Sequence, residues 1–370
     1  MRIGIDATLL YKGRYTGIEN YTLNLFKSLL KVDHINRYVL FFRKKIPNEL
    51  KIMASSFDFM ISPTSNRIIT DQIWMPIAVK KMKIDLLHCP AFPSPLLSNC
   101  HTVLTIHDAV HWRYPETISK GGRYYYSPLF PTAISKATRI ISVSNSTRKD
   151  LISFFPRAKD KIRVIYEATD PVIFTEKTSE PYNRGRELRA GKYILTVGSI
   201  EPRKNLQTLL KAFKIVRKRI NTDISLVVVG RKAWLKELYI PEEIKHKIIL
   251  TGYITSNDDL AQIYRDALLF VLPSIYEGFG LPVLEAMSTG TPVLCSNTSS
   301  LSEIAGNAAE YFDPYNPNDF ADRIIKIMKS KDLREKLIQK GFQRVSLFSW
   351  EKTAEQTLSV YEEVKKSLPN

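Results

Sequence analysis

Two glutamates with seven residues between them, Glu277 and Glu285, bracket the loop Gly278-Phe279-Gly280-Leu281-Pro282, which follows an apolar run at 268–272. Glycines at 278 and 280 let backbone amides come close to an anion, and Pro282 suits the first turn of a helix. The loop therefore aims a helix N-terminus at a phosphate. Glu285 is expected inside that first turn. Carboxylates repel a phosphate, but as acceptor-only groups they suit the hydroxyls of a ribose and a sugar. Phosphate, ribose and sugar together describe a nucleotide sugar. A single glutamate near a helix start more often only stabilises the helix dipole; the whole string carries the reading.

A second constellation, Gly198-Ser199-Ile200-Glu201-Pro202-Arg203-Lys204-Asn205, follows the apolar run 193–197 and precedes an amphipathic stretch. Alone, Arg-Lys after a proline reads as a solvated turn. At the carboxyl end of a strand in an open parallel sheet, it stands where ligands bind. Three further strand ends carry candidates: Gly252-Tyr253-Ile254, the helix-opening Gly17, and His107-Asp108 after the run 102–106. One histidine in such a place is ordinarily a satisfied, partly buried side chain, and only its strand-end position beside Asp108 raises a functional reading.

The elements that must hold these residues follow from periodicity. Apolar runs at 3–7, 38–42, 86–89, 102–106, 139–143 and 162–166 alternate with helical patterns, and a second series runs 193–197, 226–229, 248–252, 268–272 and 292–295. Such alternation is the mark of parallel sheets covered by helices, and the expectation is an α/β protein with two doubly wound sheets. A length of 370 residues, 44% apolar and 25% charged, also favours two domains. The polar stretch 170–191, with Pro171, Pro181 and Gly185, reads as their linker. The boundaries expected are 1–175, 190–348 and a C-terminal helix at 349–370 that crosses back to the first domain.

Composition narrows the class. Neither a signal-peptide pattern nor an apolar run of membrane-spanning length is seen, so a cytosolic protein is expected. Cys89, Cys100 and Cys295 lack metal-ligand spacing and read as buried thiols. The formal charge is +17, and residues 1–170 hold 25 Lys/Arg against 13 Asp/Glu, leaving 29 against 24 for the rest. A basic first half attracts anionic lipid, nucleic acid or phosphorylated substrates, though Arg43-Lys44-Lys45 and Lys80-Lys81 also read simply as solvated faces. A non-catalytic nucleic-acid-binding protein would cluster its Arg and Lys with exposed aromatics, and no such cluster is present.

As a string, residues 277–293 (EGFGLPVLEAMSTGTPV) resemble the donor-site signature of family 4 glycosyltransferases, the E-x7-E pattern, and 198–205 resemble that family's G-x5-K-N segment. The resemblance extends over most of the chain. It implies the GT-B fold, two Rossmann-like domains facing a cleft, and transfer with retention of anomeric configuration. Carried over residue by residue, it implies that Glu285 holds the ribose hydroxyls and Glu277 contacts the transferred sugar. Arg203 and Lys204 would neutralise the diphosphate, with Gly198, Gly278, Phe279, Gly280 and Leu281 lining the donor site. Gly252, Tyr253 and Ile254 resemble the base-recognition segment, although Tyr253 reads equally as a cover for a sheet edge. His107 resembles the first-domain histidine that reaches the donor sugar. Gly17 and Asp108 fall to the acceptor side, with one glycine where the family commonly has two.

At 167–168 this chain has Glu-Ala where the family often has Asn-Gly, which places Glu167 on the acceptor side as well. The resemblance further implies no cofactor and no metal, since no Asp-x-Asp motif is present and paired bases bind the phosphates. A phosphate-releasing relative such as a nucleotide-sugar epimerase would need further acidic and basic groups that are not evident. The first-domain segments are similar to those of bacterial mannosyltransferases of polysaccharide assembly. That implies GDP-mannose, a saccharide or lipid-linked saccharide acceptor, and work at the inner membrane face. UDP-glucose and UDP-N-acetylglucosamine stay open as donors.

Overall fold

The computed structural model describes residues 1–11, 17–92, 94–118, 120–169, 188–231 and 238–367, with side chains for all of these except 54 and 120–126. The expected linker lies outside the described residues from 170 to 187, as do Tyr15 and Thr16 before Gly17.

Seven strands form the first sheet: β1 (Arg2–Asp6), β2 (Arg37–Arg43), β3 (Asp58–Ser62), β4 (Leu86–Cys89), β5 (His101–Ile106), β6 (Arg139–Ser142) and β7 (Ile162–Val164). Six form the second: β8 (Tyr193–Val197), β9 (Ser225–Val229), β10 (Ile248–Gly252), β11 (Leu269–Leu272), β12 (Val293–Ser296) and β13 (Ala309–Phe312). The orders are β3-β2-β1-β4-β5-β6-β7 and β10-β9-β8-β11-β12-β13, with every pairing parallel. These are the two doubly wound sheets expected from the alternation of patterns. The order reverses between β1 and β4 and between β8 and β11, and at each reversal the carboxyl ends of the strands open a crevice.

Burial on both faces explains why the central strands read as continuous apolar runs: Val39, Leu40, Phe41 and Phe42 of β2 and Leu269, Phe270 and Val271 of β11 are fully buried. The edge strands β3 and β13 gave no such run. Asp58, Phe59 and Ile61 of β3 face solvent, and β13 carries Glu310 and Tyr311 half-buried. An edge strand has one neighbour instead of two and tolerates polar side chains.

The chain divides into two compact units, Met1–Glu167 with Trp350–Asn370, and Ala168–Ser349. The C-terminal helix Trp350–Lys365 is thus part of the first unit. Its inward residues Trp350, Ala354, Thr357, Val360, Tyr361 and Val364 are buried, and each large apolar one contributes roughly 1.5–3 kcal/mol by leaving water. Trp350 meets Tyr21 of the helix Gly17–Val32 edge-on at 5.8 Å, and Thr353 donates to the Tyr166 carbonyl at 2.8 Å. Glu363 accepts from both Arg139 and Arg163 at 2.8 Å, but these groups are about a third exposed and add little.

The deepest polar contact of this helix is the Tyr361 hydroxyl on His88 Nδ1 at 2.6 Å, with His88 Nε2 on Thr105 Oγ1 at 2.8 Å. Burial, reinforced by the charge of His107, pulls His88 down to about 3 and keeps it neutral. Cys89 and Cys295 are buried free thiols; Cys100, expected buried, is half-buried with its sulfur 3.1 Å from Ser98 Oγ. No helix among the described residues is long and apolar enough to cross a membrane.

Tyr361→Phe strands one nitrogen of a fully buried imidazole. An unmade buried hydrogen bond costs about 1–3 kcal/mol, so the urea midpoint is expected to fall; an unchanged midpoint would show that this contact holds nothing.

Candidate active site

The second unit's site begins with close backbone packing at the ends of β8, β9 and β10. Gly198 and Gly230 both have φ 153°, and Gly252 has φ 74°, conformations that L side chains rarely adopt. Gly198 N–H donates to the Val229 carbonyl and Gly230 N–H to the Gly252 carbonyl, each at 2.9 Å. A Cβ at Gly230 would sit 1.8 Å from the Gly198 carbonyl oxygen, so the two loops can approach only because 230 is glycine. The sequence reading missed Gly230, although it ends an apolar run just as Gly198 does.

From Gly198 the chain enters a tight 3-10 turn, Pro202–Lys204, and passes through Asn205 at φ 54° into the helix Leu206–Arg219. Asparagine tolerates this left-handed geometry better than most residues. Here it is tied down by its amide to the Pro314 carbonyl at 2.8 Å and by the Thr208 hydroxyl at 2.7 Å.

This turn delivers Arg203 and Lys204 to Glu277. Arg203 Nη1 donates to Glu277 Oε2 at 2.9 Å, Lys204 Nζ to Oε1 at 2.5 Å, and Ser274 Oγ to the same Oε1 at 2.6 Å. The Arg203 Nε also pairs with buried Glu201 at 2.6 Å. Burial pushes the Glu277 carboxyl up, but the charges of Lys204 and Arg203 and the bonds from Lys204 and Ser274 outweigh it and hold the group down to about 2. Loops from neighbouring strands β8 and β11 are thereby joined at the second sheet's reversal point.

A third loop, after β12, braces them. Ser299 Oγ accepts from Glu277 N–H at 2.9 Å, and Ser300 Oγ donates to the carbonyls of Glu277 and Phe279 at 2.9 and 2.8 Å. These serines also escaped the sequence reading, because small hydroxyl residues in a turn look only like turn formers.

Gly280, at φ 108°, turns the chain into the helix Leu281–Ser288 with Pro282 in its first turn. Glu285 therefore falls in the second turn, not the first as expected: the helix starts only at Leu281. Its Oε2 accepts from the Tyr264 hydroxyl at 2.8 Å. Burial pushes Glu285 up to about 7, and the Tyr264 bond offsets this only in part. The two glutamates of the motif thus sit in opposite environments, one held ionised by cations and the other left near its protonated form.

Other expected donor contacts are mixed. The Phe279 side chain is core, 6.0 Å from the ring of Phe348, so only its backbone can meet a ligand. Gly278 and Leu281 flank the same turn. Ile254 is buried and Tyr253 exposed beyond Gly252.

In the first unit Gly17 is the first residue of its helix, and His107 follows β5. His107 Nε2 faces the Pro90 carbonyl at 2.8 Å and must donate, since a carbonyl only accepts; Nδ1 meets Glu167 Oε1 at 2.7 Å. Burial lowers the imidazole's pKa, but the bond and charge of Glu167, the Pro90 carbonyl and Asp108 together raise it above the ordinary value. With both nitrogens engaged, on the Pro90 carbonyl and on Glu167, His107 is held in a fixed orientation inside its own unit. Asp108 Oδ1 accepts from the Val110 amide at 3.1 Å and steadies the short helix there.

Two family models match the chain: Glycosyltransferase Family 4 over residues 15–173 and Glycosyl transferases group 1 over 183–344. It is 29% identical over 377 residues to the Escherichia coli O-antigen chain mannosyltransferase B, covering 96% of this chain and 98% of that one. Among solved structures it is similar to a glycosyltransferase from Rickettsia africae, with TM-score 0.72, 19% identity and 99% of both chains covered. It is also similar to Anabaena HepE in complex with UDP and glucose, with TM-score 0.73, 15% identity, and 98% of this chain and 100% of that one covered.

The raised Glu285 and depressed Glu277 act on stability with opposite signs. Glu285 binds its proton more tightly when folded, so it lowers stability as pH rises from 4.5 to about 7. The stabilisation from Glu277 is complete above 4.5 and is lost as pH falls toward about 2. Glu285→Gln is therefore expected to match the wild-type melting temperature near pH 4.5 and exceed it at pH 8; parallel melting curves across that range would contradict the assignment.

Proposed function

As the chain belongs to the family 4 glycosyltransferases, we propose that it transfers a hexose from a nucleoside-diphosphate sugar to a saccharide or lipid-linked saccharide acceptor, with retention and without a metal. The observation that carries this reading is the Arg203–Lys204–Glu277 cluster at the reversal point of the second sheet. A guanidinium and an ammonium fixed side by side suit a diphosphate, one as a planar fork and the other as a point charge.

In the transfer, the bond between the anomeric carbon and the diphosphate oxygen breaks while the acceptor oxygen bonds to the same face of that carbon. The acceptor's proton passes to the departing phosphate oxygen. Charge grows on the diphosphate as its bond breaks, so Arg203 and Lys204 bind the transition state more strongly than the ground state. Glu277 keeps both cations in place at no cost of reorganisation and faces the sugar through its remaining acceptor capacity. Glu285 takes the ribose hydroxyls, whose hydrogen bonds favour its ionised form.

The donor is proposed to be GDP-mannose and the product a cell-surface polysaccharide, on the strength of the similarity to an O-antigen chain mannosyltransferase over nearly the whole chain. A lipid-linked acceptor would put the enzyme at the inner face of an anionic membrane.

A thermal-shift panel of GDP-mannose, GDP, UDP-glucose, UDP-N-acetylglucosamine and UDP tests the reading, because a ligand that binds only the folded state raises its melting temperature. Guanine ligands are expected to stabilise the protein, with the shift unchanged in EDTA and lost in Glu285→Ala. A uridine preference would replace the donor, and no shift with any nucleotide would overturn the site.

A further inference from the structure

The first unit carries an apolar surface that the chemistry above does not use. Among the described residues, seven of the fifteen exposed large apolar side chains fall between Ile52 and Ile77. Four lie on one continuous helical stretch, built from Arg67–Ile69, a wide turn at Thr70–Trp74 and Met75–Lys81. The wide turn precedes Pro76, which has no N–H to give. The inward positions Thr70, Asp71, Met75, Ala78 and Val79 are buried, as a surface helix requires. Its outward positions should then be polar. Instead they are Ile68, Ile69, Ile73 and Ile77, the last two 56% and 62% exposed. Phe59 and Ile61 on the edge strand β3 are exposed as well, and the Ser62–Thr70 hydroxyl contact at 3.1 Å ties the end of that strand to the helix.

The charges around this stripe say what covers it. From 44 to 83 there are seven Lys/Arg (Lys44, Lys45, Lys51, Arg67, Lys80, Lys81, Lys83) against three acids (Glu49, Asp58, Asp71), 7 − 3 = +4. Of the acids, Asp71 is buried and Asp58 is paired with Arg2. Lys80, Lys81 and Lys83 are exposed directly beyond Ile77. A second copy in a two-fold contact would set two faces of the same net positive charge against each other, which repel. An apolar stripe ending in exposed lysines matches the surface of an anionic bilayer, where isoleucines enter the headgroup boundary and lysines meet phosphates.

We propose that the face formed by Ile68, Ile69, Ile73 and Ile77, with Lys80, Lys81 and Lys83 at its end, docks the first unit on an anionic lipid bilayer. This deepens the lipid-linked acceptor reading and rests on it for its purpose, though lipid binding itself needs no sugar. The test is flotation of the full chain with vesicles of phosphatidylcholine alone and of phosphatidylcholine with phosphatidylglycerol. Wild type is expected to float with the anionic vesicles, and about ten-fold less when phosphatidylglycerol is omitted.

Ile73→Ser/Ile77→Ser is expected to reduce flotation by about ten-fold or more, with melting temperature and nucleotide-induced shift unchanged. Lys80→Glu/Lys81→Glu probes the same face through charge and should lose binding to anionic vesicles. Flotation unaffected by either variant, or no flotation of wild type, overturns the proposal. So does a wild-type dimer that the serine variant dissociates in sedimentation, which would put a second copy on this face. A nucleotide shift that persists while flotation fails would sink this inference alone and leave the transferase reading standing.

Discussion

A carboxylate out of water keeps its charge only when cations are brought to it, and at Glu277 that requirement organises the second unit. Two cations come from a turn after β8, the carboxylate from the loop after β11, and the hydroxyls that brace it from the loop after β12. Each of these groups is held in part by the others, with Glu201 as a second carboxylate on Arg203. Withdrawing Lys204 leaves a buried charge underpaired, and withdrawing Glu277 removes the carboxylate that Arg203 and Lys204 share. Mutual dependence of this kind fixes side-chain positions without a rigid local backbone. In the proposed reaction both cations would then be in place before negative charge grows, with no reorganisation needed.

Glu285 obeys the opposite logic. Among the described residues it has a tyrosine hydroxyl and no cation, so burial dominates and its pKa rises to about 7. A carboxyl left short of donors gains more from a ligand that brings hydroxyl groups than one that already holds three donors. The motif's two glutamates have the same chemistry in sequence and are set apart by their surroundings: one orders cations, and the other, short of donors, is proposed to take a diol.

Much of this was legible in the sequence, for identifiable reasons. Strands buried on both faces write themselves as apolar runs, so the order of elements and the strand-end position of Gly198, Arg203, Lys204 and Glu277 could be read directly. What escaped depends on contacts distant in sequence. Gly230 is required only because the Gly198 carbonyl lies against it. Ser299 and Ser300 matter only because the loop after β12 folds over the one after β11. Glu167 looked like a departure from a family turn, and only folding shows it gripping His107. Edge strands β3 and β13 escaped for the converse reason, since one-sided pairing tolerates their polar side chains, although the opposite edges β7 and β10 did read as apolar runs.

The proposed chemistry requires that Arg203 and Lys204 hold a diphosphate. Isothermal titration of GDP against GMP, and of UDP against UMP, isolates that contribution whichever base the site prefers, and Lys204→Gln removes one charge while keeping a donor for Glu277. A charge-assisted hydrogen bond is worth about 1.5–3 kcal/mol, so the variant should lose about ten-fold or more of the diphosphate's advantage over the monophosphate. An advantage that survives the substitution intact would mean that the diphosphate is bound elsewhere and that this cluster serves only the fold.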